Sequence, residues 1–188
     1  MRSQRTAWAA LLIGLTISSA PGRTQVQVVP QIPHVQRVKS LAFSSDGLHV
    51  LSASQDSTVK LWSTRTGQLL RTFEGHVGSV NSAVFSPDGV HIASGGQDTT
   101  IRIWDVTTGA LKRRFGEAKQ IFWPLTSAGA ASISEPITGI AYSPDGTKIV
   151  SSSWGDQGQL KLWDVASGVQ IRSYEGHAGL VSFSRIFT

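Results

Sequence analysis

The 188-residue chain is 40% hydrophobic and 15% charged, a globular balance that excludes a disordered or low-complexity polypeptide. It has no cysteine, which excludes a disulfide framework, a thiol nucleophile and Cys-based zinc or iron–sulfur sites. The formal charge of +5 is small and scattered along the chain, whereas a nucleic-acid face gathers basic residues on one surface; no nucleic-acid partner is expected.

The first 22 residues read as a secretory signal. Arg2 and Arg5 make a basic start, Ala7 to Ile17 is an uncharged and mostly apolar run, and Ser18, Ser19, Ala20 and Gly22 supply small residues for a peptidase. The run covers 11 residues, against the ~20 that a helix needs to cross a bilayer, so no stable membrane anchor is expected. Pro21 disfavours cutting after Ala20, which points to cleavage after Gly22 and leaves residues 23–188 as the mature chain. An exported protein, secreted or periplasmic, is the expectation; without a functional signal it would be cytoplasmic. Thr24–Val29 then reads as an outer strand.

From His34 onward one unit repeats. The first copy runs from His34 through Ser44-Ser45-Asp46-Gly47 and Leu61-Trp62 to Gly75, about residues 34–75. The second, about 76–116, runs from His76 through Ser86-Pro87-Asp88-Gly89 and Ile103-Trp104-Asp105 to Phe115. An insertion at about 117–135 follows. The third copy, about 136–176, carries Ser143-Pro144-Asp145-Gly146 and Leu162-Trp163-Asp164; His177 opens a partial fourth over 177–188. His34 to His76 is 42 residues, and so is Trp62 to Trp104, a period that points to propeller blades.

Each copy divides into four short strands. In the second these are Val80–Phe85, Val90–Ser94, Thr100–Trp104 and Ala110–Phe115. Proline and glycine shape the turn after the first strand, and Thr107-Thr108-Gly109 shapes the turn before the last. Between them Ile101 and Ile103 alternate with Arg102 and Trp104, the two-residue period of a strand. No segment carries a sustained helical period.

With its Gly-His pairs, its Ser-Pro-Asp-Gly turns and Trp-Asp at 104–105 and 163–164, the sequence resembles the WD-repeat family of β-propellers over about residues 24–188. The resemblance implies an all-β fold: a partial β-propeller of four-stranded blades, three plus the start of a fourth, open at both ends. Self-assembly into a homo-oligomer could close it, most simply as a dimer supplying six to eight blades. A fragment of a longer protein is the other reading, which the departure of Val181–Thr188 from the repeat favours.

His76, Ser94, Asp98 and Trp104 recur as His34, Ser52, Asp56 and Trp62 at identical spacing, with Ser151, Asp156 and Trp163 in the third copy. Histidine, serine and aspartate invite a hydrolase reading, but an enzyme rarely repeats its triad in successive repeats. The resemblance implies instead a hydrogen-bonded tetrad that ties the strands of each blade. The third copy lacks the histidine, with Ile133 near its place. Asp46, Asp88 and Asp145 each belong to the same turn of their own copy, so no metal is expected, and no motif asks for a cofactor.

In the family, partners meet positions three and five residues after the blade histidine and the residue before the aspartate. Carried over, these are Arg37, Lys39 and Gln55; Ser79, Asn81 and Gln97; and Pro136, Thr138 and Gly155. Phe122 and Trp123 in the insertion, with Trp154, form a candidate aromatic patch for a protein partner, because exposed tryptophan is a frequent hot spot. The functional expectation is a noncatalytic protein-binding scaffold. The alternatives are a truncated product without independent function and, more remotely, an exported propeller enzyme.

Overall fold

A computed structural model describes residues 13–20, 23–116, 135–154 and 159–174, with side chains described from residue 31 onward. Among the described residues there is no helix, and the fold is all-β. The turn chemistry accounts for this. Within the second copy every connection is only a few residues long, which joins antiparallel neighbours and leaves no room for a crossover.

Among the described residues, fourteen strands form three four-stranded antiparallel meanders and one hairpin. The first meander holds β3 (Val38–Phe43), β4 (His49–Ser54), β5 (Val59–Ser63) and β6 (Leu69–Phe73). The second holds β7 (Val80–Phe85), β8 (His91–Gly96), β9 (Ile101–Asp105) and β10 (Leu111–Phe115). The third holds β11 (Ile137–Tyr142), β12 (Lys148–Ser153), β13 (Leu160–Asp164) and β14 (Gln170–Tyr174). These match the expected four strands per copy, within two residues at each end in the second. The partial fourth copy, 177–188, lies outside the described residues.

The hairpin joins β1 (Ile13–Ala20) to β2 (Arg23–Pro30), in register from Ile13 opposite Pro30 to Ala20 opposite Arg23. The expected strand at Thr24–Val29 is therefore present. In the uncut chain its partner is a strand formed by residues read as part of a leader.

Equivalent positions align across the three sheets, and each sheet has two faces. A leading face carries Val38, Leu41, Val50 and Trp62 in the first blade, then Val80, Ala83, Ile92 and Trp104, then Ile137, Ile140, Ile149 and Trp163. A trailing face carries Leu51, Val59, Leu61 and Phe73 in the first blade, then Ala93, Ile101, Ile103 and Phe115. The core consists of two such faces pressed together, twice over. The trailing face of blade 1 packs on the leading face of blade 2, and that of blade 2 on blade 3.

Two details recur at both seams. Phe73 lies against Trp104 with ring centroids 5.9 Å apart, and Phe115 stacks on Trp163 at 6.3 Å. Arg71 donates to the carbonyl oxygens of Thr107 and Thr108 in the neighbouring blade's turn, and Arg113 lies against the equivalent turn at Gly168. One ring and one arginine thus reach across each seam, over the apolar faces that fill it.

One buried atom breaks the pattern. The Tyr142 hydroxyl has no hydrogen-bond partner among the described residues, and burial pushes its pKa above the usual phenol range. The other two blades place Phe43 and Phe85 at this position. Removing an unsatisfied buried polar group recovers its desolvation cost, so Tyr142→Phe is expected to stabilise the fold by about 1 kcal/mol, read from the urea midpoint.

Candidate functional site

The repeated histidine, serine, aspartate and tryptophan do come together, in the same way in both full copies. In blade 2 the His76 Nδ1 lies 2.9 Å from an Asp98 carboxylate oxygen and its Nε2 lies 2.8 Å from Ser94 Oγ. Trp104 Nε1 donates to the same Ser94 oxygen at 2.8 Å. Blade 1 repeats this with His34–Asp56 at 2.8 Å, His34–Ser52 at 2.7 Å and Trp62 to Ser52 at 2.7 Å. The pattern assigns the ring proton to Nδ1, facing the carboxylate. Nε2 then accepts from the serine hydroxyl, whose oxygen accepts from the indole.

Asp98 also accepts from the Val77 amide and from the Thr100 amide and hydroxyl, with the Arg102 guanidinium 3.4 Å away. Burial by itself would raise the Asp98 pKa. The hydrogen bond and charge of His76, the Val77 amide and the Thr100 hydroxyl outweigh it and hold the carboxyl at about 2. Such a chain joins the segment before a blade's first strand to its second and third strands.

Carboxylate, imidazole and serine are therefore ordered as in a hydrolytic relay. Yet Ser94 is fully buried and Ser52 nearly so, and each hydroxyl oxygen is occupied by an indole N–H. A nucleophile needs an open line to a substrate carbonyl, which neither serine has. Among the described residues no group of three His, Asp or Glu side chains could hold a metal ion. The turn aspartates serve their own turns: Asp88 accepts from the Ser86 hydroxyl and the Val90 amide, and Asp46 and Asp145 do the same in their blades.

In blade 3 the described part of the tetrad is its serine and tryptophan. Trp163 Nε1 donates to Ser151 Oγ at 2.8 Å. Asp156 and Ile133 lie outside the described residues. A cavity of about 240 Å³ lies beside Ser151 and Trp163, and its lining includes Lys161 and Glu135, paired at 3.6 Å.

The partner-facing candidates gather at one end of the blades. The Gln55 amide donates to the Arg37 carbonyl at 2.9 Å, the Gln97 amide to Ser79 at 2.8 Å, and the Trp154 amide to Pro136 at 2.9 Å. These three bonds are equivalent, and they place Trp154 at the position of Gln55 and Gln97. Counting back from Asp156 had put Gly155 there; Gly155, Phe122 and Trp123 lie outside the described residues. Arg37, Lys39, Gln55 and Trp154 are exposed, Trp154 at 61%.

The second-blade candidates are more engaged internally. Ser79 donates to Asn81, and Asn81 donates to the Ile137 carbonyl of blade 3 at 2.8 Å. The Gln97 side chain accepts from the Ser79 amide. Thr138 bonds Ser152, so it is occupied within its own blade. The role of Asn81 as a bridge between blades was invisible in sequence, because its acceptor is a backbone atom 56 residues away.

A family model described as WD domain, G-beta repeat, matches residues 26–63, 67–105 and 129–164, more than half of the chain. The chain belongs to the WD-repeat family. Similar proteins include WD repeat domain-containing protein 83 of Danio rerio, 38% identical over 56 residues, covering 25% of this chain and 18% of that protein. Notchless protein homolog of Arabidopsis thaliana is 46% identical over 43 residues, 23% of this chain and 9% of that protein. Ribosome assembly protein 4 of Saccharomyces cerevisiae is 45% identical over 40 residues, 21% of this chain and 8% of that protein. The WD-repeat chain therefore spans less than a fifth of each of these relatives. Its three sheets are WD blades, and WD-repeat proteins generally act by binding other proteins.

Proposed function

We propose that this WD-repeat chain is a noncatalytic scaffold that takes a protein partner on the blade-end face built by Arg37–Gln55, Ser79–Gln97 and Pro136–Trp154. The observation that carries the reading is the triple repetition of one backbone bond, which lines up these pairs on successive blades and leaves Trp154 61% exposed at the end of the row. An exposed indole at the blade 3 end of the row and the cationic Arg37 and Lys39 at its blade 1 end offer apolar area and charge to one partner. The burial of Ser52 and Ser94 supports a role without catalysis. The name of the yeast relative, a ribosome assembly protein, agrees with assembly rather than a reaction.

Export belongs to the same proposal. The basic start, apolar run and small residues of 1–22 act as a signal, and cleavage after Gly22 would remove β1 and free the edge of β2.

The double variant Arg37→Ala/Trp154→Ala tests the face. Wild-type chain immobilised on a resin should retain a partner from its source cells that the variant retains about tenfold less, with the thermal midpoint unchanged. Equal retention by both chains sinks the assignment of this face.

A further inference from the structure

The two seams between the described blades are copies of one interface, and the first and last of these blades each show one half of it exposed. In blades 2 and 3 the leading-face positions are sealed: Val80 and Ala83 are 0% and 1% exposed, Ile137 and Ile140 4% and 3%. Their counterparts in blade 1, Val38 and Leu41, are 47% and 63% exposed, and Phe43 beside them is 63% exposed. The trailing face shows the converse. Phe73 and Phe115 are each 2% exposed, whereas Tyr174 at the same position in blade 3 is 42% exposed and Ile171 beside it 48%.

The arginine contact tells the same story. At Gly109 an added Cβ would lie 2.9 Å from Arg71, and at Gly168 2.9 Å from Phe115, but at Gly67 it would meet nothing within 4 Å. Gly67 ends the blade 1 turn that corresponds to Thr107-Thr108-Gly109. Arg172, which corresponds to Arg71 and Arg113, is exposed on β14.

We propose that a second copy of this chain supplies the missing half: the trailing face of blade 3 of one copy seats on the leading face of blade 1 of the other. Tyr174 then covers Trp62 as Phe73 covers Trp104, and Arg172 reaches the carbonyls of Arg65 and Thr66 as Arg71 reaches those of Thr107 and Thr108. The occupant is a copy of this chain because its trailing face carries the ring, the cation and the aliphatic side chains in the register that the blade 1 face was built to receive. The contact is heterologous, using different patches on the two copies, so it closes into a ring or extends head to tail. It uses the lateral faces of the end blades and not their loop ends, so its failure would leave the blade-end reading of partner binding untouched.

The test is the solution mass of the full 188-residue chain and of two single variants, Leu41→Glu and Tyr174→Glu, each at an exposed position. Wild type is expected to run at the mass of two or more copies, and both variants at the single-chain mass with unchanged circular dichroism. An equimolar mixture of the two variants should recover a dimer, because one wild-type pair of faces survives in it. The absence of native cysteine allows a second measurement. Oxidised Thr66→Cys/Arg172→Cys chain should give intermolecular disulfides that neither single variant gives. A wild-type chain that stays monomeric would overturn the proposal, leaving the faces to other blades of a longer polypeptide. A dimer that persists in Tyr174→Glu, or crosslinking by Thr66→Cys alone, would overturn it in favour of a face-to-face pairing.

Discussion

Asp98→Ala is expected to lower the unfolding free energy by about 3–5 kcal/mol, the cost of breaking a buried charged network from one side. The carboxylate is 3% exposed, and its loss strands the His76 Nδ1, the Val77 and Thr100 amides, the Thr100 hydroxyl and the Arg102 guanidinium. The Thr100 amide and hydroxyl sit on a residue that is 0% exposed and cannot turn to water. Asp56→Ala in blade 1 should cost less: its carboxylate is also buried, at 6% exposed, but it carries no ion pair like that of Asp98 with Arg102, and among the described residues its blade is packed on one side only. Urea denaturation of the two variants side by side checks the order. Equal, small losses would mean that the tetrad contributes little to holding the blade.

The same carboxylate sets an acid limb. Its pKa is about 2 in the folded chain, against 3.8 as the ordinary value. A depressed folded pKa contributes stability above the unfolded value and loses it as pH falls through the folded one. Wild-type stability should therefore decline as pH drops from about 4 to about 2, and Asp98→Ala should show a shallower decline over that window.

Phe115→Ala is expected to cost about 3–5 kcal/mol, the range for emptying a buried aromatic site. Phe115 is 2% exposed, stacks on Trp163 and fills the approach to Gly168, so its removal opens the seam between blades 2 and 3. Tyr174→Ala makes the same truncation one blade further on. There the ring is 42% exposed and should cost no more than about 0.5 kcal/mol in the single chain. The contrast is measured by urea unfolding of both variants at concentrations low enough to keep the chain monomeric. A large effect at Tyr174 would mean that blade 3 already has a covered trailing face.

Much of this architecture is local and therefore written in the sequence. The Ser-Pro-Asp-Gly turns, the Thr-Thr-Gly and Ala-Ser-Gly turns and the alternation of Ile101 and Ile103 act over a few residues, so four strands per copy follow from turn chemistry and period alone. The tetrad was legible for a different reason: its members recur at fixed spacing, and a repeated triad argues for structure over catalysis. Burial then supplied what spacing could not, placing Ser94 beyond the reach of any substrate.

What only the tertiary structure decided is which face finds a neighbour. Phe43 and Phe85 are the same residue at the same strand position. The first is 63% exposed and the second is half-buried, because blade 1 packs against Phe85 and no described core cluster includes Phe43. Period-2 patterning marks a side chain as facing one way, but it carries no information about what stands opposite. The same limit hid the reach of Arg71 to the next blade and the bridge from Asn81 to Ile137, both contacts with backbone carbonyls that leave no mark on residue identity. It also left the third blade's register open, where counting along the chain and the backbone bond point to neighbouring residues, Gly155 and Trp154. Extra residues before Asp156 spoil any count along the chain, and the Trp154–Pro136 bond between strands resets the register in space.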